Sequence, residues 1–169
     1  MKSIDKLVKD TLNPPVIIKL ILDHTIEELE ELEKIYTGLI TEEEGQEYID
    51  NCIDIDIDKC TNYIITNERY IPKLEHLLDR GGVRFLISNA SRELFEMDNI
   101  EELLLVLKED DDPKFTAEFF PDYISPREEA IIEIKKIFER QFSIDDVLDL
   151  ISKKGIDSLN RFHREILFK

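Results

Sequence analysis

Apolar residues recur at every third or fourth position over much of the chain, and the pattern is cleanest near the C-terminus. Ala130, Ile131, Ile134, Ile137, Phe138 and Phe142 line one side of a predicted helix, while Glu129, Glu133, Lys136, Glu139 and Arg140 fall on the other. Ser125 at the N-cap, Pro126 at the first helical position and Glu128 at N3 form a capping box that fixes the start. Burying such a stripe contributes about 1.5–3 kcal/mol per large side chain before entropy is counted, so this helix is expected to seat a core. Ser143 with Asp146 opens a second helix over 144–154. Ser158 is expected to open a third over 159–168, with Leu159, Phe162 and Ile166 inward and His163 beside them.

The N-terminal part reads less evenly. A short helix from Ile4 to Leu12 must end at Asn13-Pro14-Pro15. Val16–Leu22 is β-branched and nearly all apolar, which suits a buried strand or a buried helical turn; we read it as helix. Thr25 with Glu28, and Thr41 with Glu44, are capping boxes on either side of Gly38, predicting two acidic helices in a hairpin. From Tyr48 to Ile64 helical spacing competes with the alternation Ile53-Asp54-Ile55-Asp56-Ile57-Asp58, and a helix interrupted near 54–58 is expected. Pro72 suits only a first turn, so a helix runs from there to Asp79 until Gly81-Gly82 stops it. Val83–Ile87 is a short strand candidate, Ser91 starts a helix to Met97, and Asn99 caps 100–108, whose apolar run Leu103–Leu107 is expected to be central. The resulting fold class is mainly α: a compact multi-helix domain of short capped helices with a minor β element near 83–88. An acidic helical region, 1–112, and a three-helix C-terminal region, 113–169, pack into one globular domain.

Composition narrows the functional classes. With 169 residues, 36% of them charged, and few Gly or Pro, the chain has the make-up of a folded, helix-rich protein. It has no apolar run long enough to span a bilayer, and Met1–Asp5 lacks the features of a signal peptide; a cytoplasmic location, in a bacterium or an infected host cell, is expected. Cys52 and Cys60 are too few for a disulfide framework and are expected to be reduced, partly buried thiols. The net charge is −17, and it is concentrated: residues 23–58 hold fourteen Asp and Glu against one Lys, whereas 126–169 are balanced. Such a field repels nucleic acid and anionic membrane and attracts a basic partner.

Leu32-Glu33-Lys34-Ile35-Tyr36-Thr37-Gly38-Leu39-Ile40-Thr41-Glu42-Glu43-Glu44, within the span 32–53, resembles the short helical hairpins known as SHOCT-like domains. The resemblance implies a hairpin that serves in association rather than catalysis, although those modules carry more lysine in the second helix than Gln46–Cys52 does. Asp54, Asp56 and Asp58 imitate the first ligands of an EF-hand loop, but Lys59 stands where glycine makes the turn and Ile65 where a bidentate Glu closes the cage. His24, His76 and His163 are isolated, which argues against zinc and suits surface or helix-flank positions; no phosphate-binding glycine loop or nucleophile elbow is present. No metal, cofactor or catalytic residue is therefore expected. The expected function is that of a non-enzymatic acidic interaction module of bacterial or phage type, an inhibitor, adaptor or nucleic-acid mimic. It would contact a basic protein surface through Glu27, Glu30, Glu31, Glu42, Glu43, Glu44 and Glu47. The alternative is an assembly component packing through Phe119 and Phe120 and the C-terminal helices, with neither nucleic acid nor membrane as a direct partner.

Overall fold

Val16–Leu22, read above as helix, is the centre of a β-sheet. The computed structural model describes residues 14–23, 52–58, 60–107 and 124–169, and the chain divides into two compact units, 1–90 and 91–169. In the first unit β1 (Pro15–Leu22), β2 (Ile53–Asp56), β3 (Thr61–Asn67) and β4 (Phe85–Asn89) form an antiparallel sheet in the order β2-β3-β1-β4. The mainly α, all-helical expectation is thereby corrected: a strand at 15–22 stands where a helix was expected, strands at 53–56 and 61–67 stand where an interrupted helix over 48–64 was expected, and the β element at 85–89 is one strand of four.

The physical reason is pairing. β1 is hydrogen-bonded on both edges, with Ile18 opposite Ile64 of β3 and Asn89 of β4. Its two faces are both covered, since Val16, Ile18 and Leu20 are buried on one side and Ile17 on the other. A strand buried on both faces loses the alternation that would mark it as β in the sequence. β2 keeps that alternation, with Ile55 buried and Asp54 and Asp56 exposed. A single 3-10 turn, Glu68–Tyr70, leads into α1 (Ile71–Arg80), where Pro72 lies in the first turn as expected. Leu74 and Leu78 of α1, with Tyr70, pack on Val16, Ile18, Leu20 and Ile64 of the sheet and on Val83. Gly82, at φ +69°, turns the chain from α1 toward β4, a conformation that costs a residue with a Cβ.

The second unit is helical: α2 (Ser91–Phe95), α3 (Ile100–Leu104), α4 (Pro126–Gln141), α5 (Ile144–Lys154), a 3-10 turn (Ile156–Ser158) and α6 (Arg161–Leu167). The caps expected at Ser125 and Ser143 form, whereas Asn99 precedes α3 without a side-chain cap bond. Ser125 Oγ accepts from Glu128 N at 3.3 Å while Glu128 Oε2 accepts from Ser125 N at 3.3 Å, and Ser143 and Asp146 repeat the exchange. Most of these helices are too short to stand alone, so packing must hold them. Phe138 of α4 is the hub: its ring meets those of Phe95, Phe142 and Phe162 edge-on, with centroids 5.3, 5.7 and 5.4 Å away.

Three helical expectations need correction here. α3 stops at Leu104, and Leu105 and Val106 are 61% and 48% exposed, so the run 103–107 is not central. α6 is capped by Asn160 rather than Ser158, which sits in the 3-10 turn and donates to Gly155 O at 2.7 Å. Glu133, assigned above to the wet side of α4, is fully buried beside Ala130, Ile134 and Ile137. The helices expected over 4–12 and 25–51 lie outside the described residues.

Candidate functional site

The described part of the acidic stretch is Asp23 and residues 52–58, which form β2 and the start of its turn into β3. β2 occupies one end of the strand order, next to β3, with Asp54 across from Ile64 and Asp56 across from Asn62. Residues two apart on a strand share a face, so both carboxyls stand on the side of the sheet to which Ile64 and α1 belong. Asn62 Nδ2 donates to Asp56 Oδ1 at 2.5 Å, holding that carboxyl in place. Beyond β2, Asp58 Oδ1 accepts from Cys60 N at 2.7 Å, an Asx-type turn, while Ile57 N donates to Thr61 O at 2.9 Å. At the same end of the sheet Leu22 N donates to Cys60 O at 2.7 Å, Asp23 N donates to Arg84 O at 2.9 Å, and the Asp23 and Arg84 side chains pair loosely at 3.7 Å.

This arrangement concentrates negative charge. The Asp54 carboxyl is pushed up to about 6, first by the crowding of surrounding protein and then by repulsion from Asp56. The residue keeps an exposed edge, so water screens part of that effect. Arg84 pairs with Asp23 at 3.7 Å with both side chains solvent-exposed, so that pair is screened by water. In the second unit the opposite case occurs. Asp146 is held down at about 2 by hydrogen bonds from the Ser143 backbone and hydroxyl and from Arg92.

Of the residues chosen from the sequence for partner contact, Glu27, Glu30, Glu31, Glu42, Glu43, Glu44, Glu47, Phe119 and Phe120 all lie outside the described residues. Among the described residues no group of three or more His, Cys, Asp or Glu side chains is placed to hold a metal ion. Cys52 and Cys60 are half-buried thiols outside any disulfide, with Cys52 Sγ 3.1 Å from Thr66 Oγ1. An indentation of about 160 Å³ between α4 and α6 is crossed by the Lys135–Glu165 ion pair at 2.6 Å and falls below the roughly 300–1,000 Å³ of ligand pockets. Among the described residues no helix is long and apolar enough to cross a membrane.

Two polar features escaped the sequence reading. Glu133 is one, and no local signal marks it, because a glutamate in a charged, amphipathic helix is ordinarily solvated. His163 is the other: it is fully buried, not a surface or flank residue, and both ring nitrogens are engaged. Its position three residues after Asn160 is the signal that could have found it, since a side chain at N3 reaches back to the N-cap backbone. In comparison with known proteins, the chain matches no family model, no curated protein and no solved structure.

Proposed function

We propose that this chain is a non-enzymatic acidic interaction module, acting in the cytoplasm of a bacterium or an infected host, that engages a basic surface on a partner protein. The observation that carries the reading is the run of carboxyls at Asp54, Asp56 and Asp58, exposed on and just beyond β2 and continuing the acidic stretch that begins at Asp23. A sheet backbone spaces Asp54 and Asp56 at about 6.6–6.8 Å on one face, so charge is presented on a rigid support rather than on a flexible tail. The partner is an Arg- or Lys-rich protein surface, and the chain acts as inhibitor, adaptor or nucleic-acid mimic. The SHOCT-like resemblance of 32–53 supports the same association role. Attraction between exposed charges separated by more than about 8 Å is screened at physiological salt, so binding falls as salt rises.

The test is capture of partners from native host extract across a salt series, comparing the parent chain with a variant in which Asp54, Asp56 and Asp58 are Lys and a second in which Glu42, Glu43 and Glu44 are Lys. Both variants should lose the partner while keeping the parent's circular dichroism spectrum. Capture that is unchanged in both and insensitive to salt rejects the reading.

A second reading, an assembly component, is supported by Ile144 and Leu148. They lie one turn apart on α5 and are each 50% exposed, and Phe168 beyond α6 is 84% exposed. Light scattering separates the two: concentration-dependent oligomers that Ile144→Ser and Leu148→Ser abolish favour assembly, and a monomer favours the acidic module.

A further inference from the structure

Helix α2 ends at Phe95, and three consecutive backbone carbonyls starting with that of Phe95 receive side chains from the end of the chain. Phe95 O accepts from His163 Nε2, Glu96 O from Lys154 Nζ at 2.8 Å, and Met97 O from Asn160 Nδ2 at 2.9 Å. Helix C-termini leave carbonyls without intrahelical partners, and here α5 and α6 supply the donors. The same Asn160 starts α6, its Oδ1 accepting from Phe162 N at 3.0 Å and His163 N at 3.1 Å, and its own N–H donates back to His163 Nδ1 at 3.1 Å. The imidazole therefore accepts at Nδ1 and donates at Nε2, which assigns the neutral Nε2–H tautomer. A second proton has no place: on Nδ1 it would point at the Asn160 N–H, donor against donor.

We propose that the Phe95–Met97 turn and the start of α6 form a pH-sensitive latch, which releases α6 when His163 takes up a second proton. Release uncovers the apolar side of α6, Phe162 and Ile166, now buried. Among the described residues the groups around the ring are Phe95, packed edge-on with centroids 4.7 Å apart, and the charges Asp98 and Lys154, which pair with each other at 3.2 Å and act on the imidazole with opposite signs. Burial pushes the imidazole below its usual range, opposed by the Phe95 carbonyl and by Asp98 and assisted by Lys154. A histidine depressed in the fold contributes stability that is complete above its unfolded value of 6.5 and is lost as pH falls below it. With one proton taken up on opening, the opening constant of α6 rises by up to about tenfold per pH unit below 6.5.

Amide hydrogen exchange on the full chain at pH 7.5, 6.5 and 5.5, corrected for intrinsic rates, reads this directly. The amides of 164–168 should lose protection toward pH 5.5 ahead of Ile134–Phe138 in α4. His163→Gln, which keeps a donor for Phe95 O and cannot titrate, should flatten the dependence. Where that variant does not fold, the imidazole titration of His163 in the parent chain decides, read against its unfolded value of 6.5. A titration midpoint for His163 at or above 6.5, or α4 and α6 losing protection together, overturns the proposal.

Discussion

Replacing Glu133 with Leu should stabilise the protein, against the intuition that cutting an ion pair weakens a fold. Its side chain is 1% exposed on the inner face of α4, and Lys136 Nζ reaches Oε1 at 2.8 Å from a position 34% exposed. The second carboxyl oxygen, Oε2, is buried with no hydrogen-bond partner among the described residues. Leaving one buried polar atom unsatisfied costs about 1–3 kcal/mol. A single charge-assisted bond to a partly hydrated lysine offsets only part of the desolvation, and exchanging buried ion pairs for apolar groups of similar volume has ranged from neutral to about 4 kcal/mol stabilising. The expectation for Glu133→Leu is a gain of about 1–3 kcal/mol, and at roughly 2–4 °C per kcal/mol for a chain of this length the melting midpoint should rise measurably.

The reverse variant sharpens the test. Lys136→Met strands the carboxyl without its cation and should cost about 1–3 kcal/mol, a cost that should vanish in the double variant with Glu133→Leu. Thermal and urea melts of the four proteins close the cycle. A lower midpoint for Glu133→Leu would refute the reasoning and would mean that Oε2 has a partner worth more than its desolvation. The same substitution should also lower the Glu129 carboxyl, which is raised first by burial and then by the charge of Glu133.

Asp54→Asn should raise the melting midpoint at pH 7.5 and leave it unchanged near pH 4. Folding lifts this carboxyl from 3.8 to about 6, so its contribution to stability is complete below the unfolded value and lost as pH rises through the folded one; a gain equal at both pH values would contradict the assignment. Ile134→Ala opens a cavity at a fully buried position of α4 and should cost about 2–5 kcal/mol, whereas Ser125→Ala removes one cap hydrogen bond and should cost about 1 kcal/mol. Equal melts for these two variants would show that α4 does not seat the core.

The starts of α4 and α5 were legible because a capping box is local. Ser125 finds Glu128, and Ser143 finds Asp146, within one turn of chain, and no distant residue can change that pairing much. The acidity of the candidate surface was likewise a property of composition, and Asp54, Asp56 and Asp58 could be singled out before their strand was known. The sheet was not legible for the opposite reason. Val16–Leu22 carries no period because both its faces are buried, and the choice of strand over helix rests on Ile64, some forty residues later, and on β4 beyond α1. Asp54 acquires its raised carboxyl from the protein packed around β2 and from Asp56, so its titration belongs to the sheet and not to the tripeptide around it. Glu133 and His163 show the same limit at single residues. A glutamate on a helix is wet unless a neighbouring element covers it. A histidine at the third position after Asn160 becomes a buried, doubly bonded group only where the carbonyl of Phe95, 68 residues away, comes to meet it. Local hydrogen bonding and charge are written in the order of residues; burial is decided by which parts of the chain meet in space.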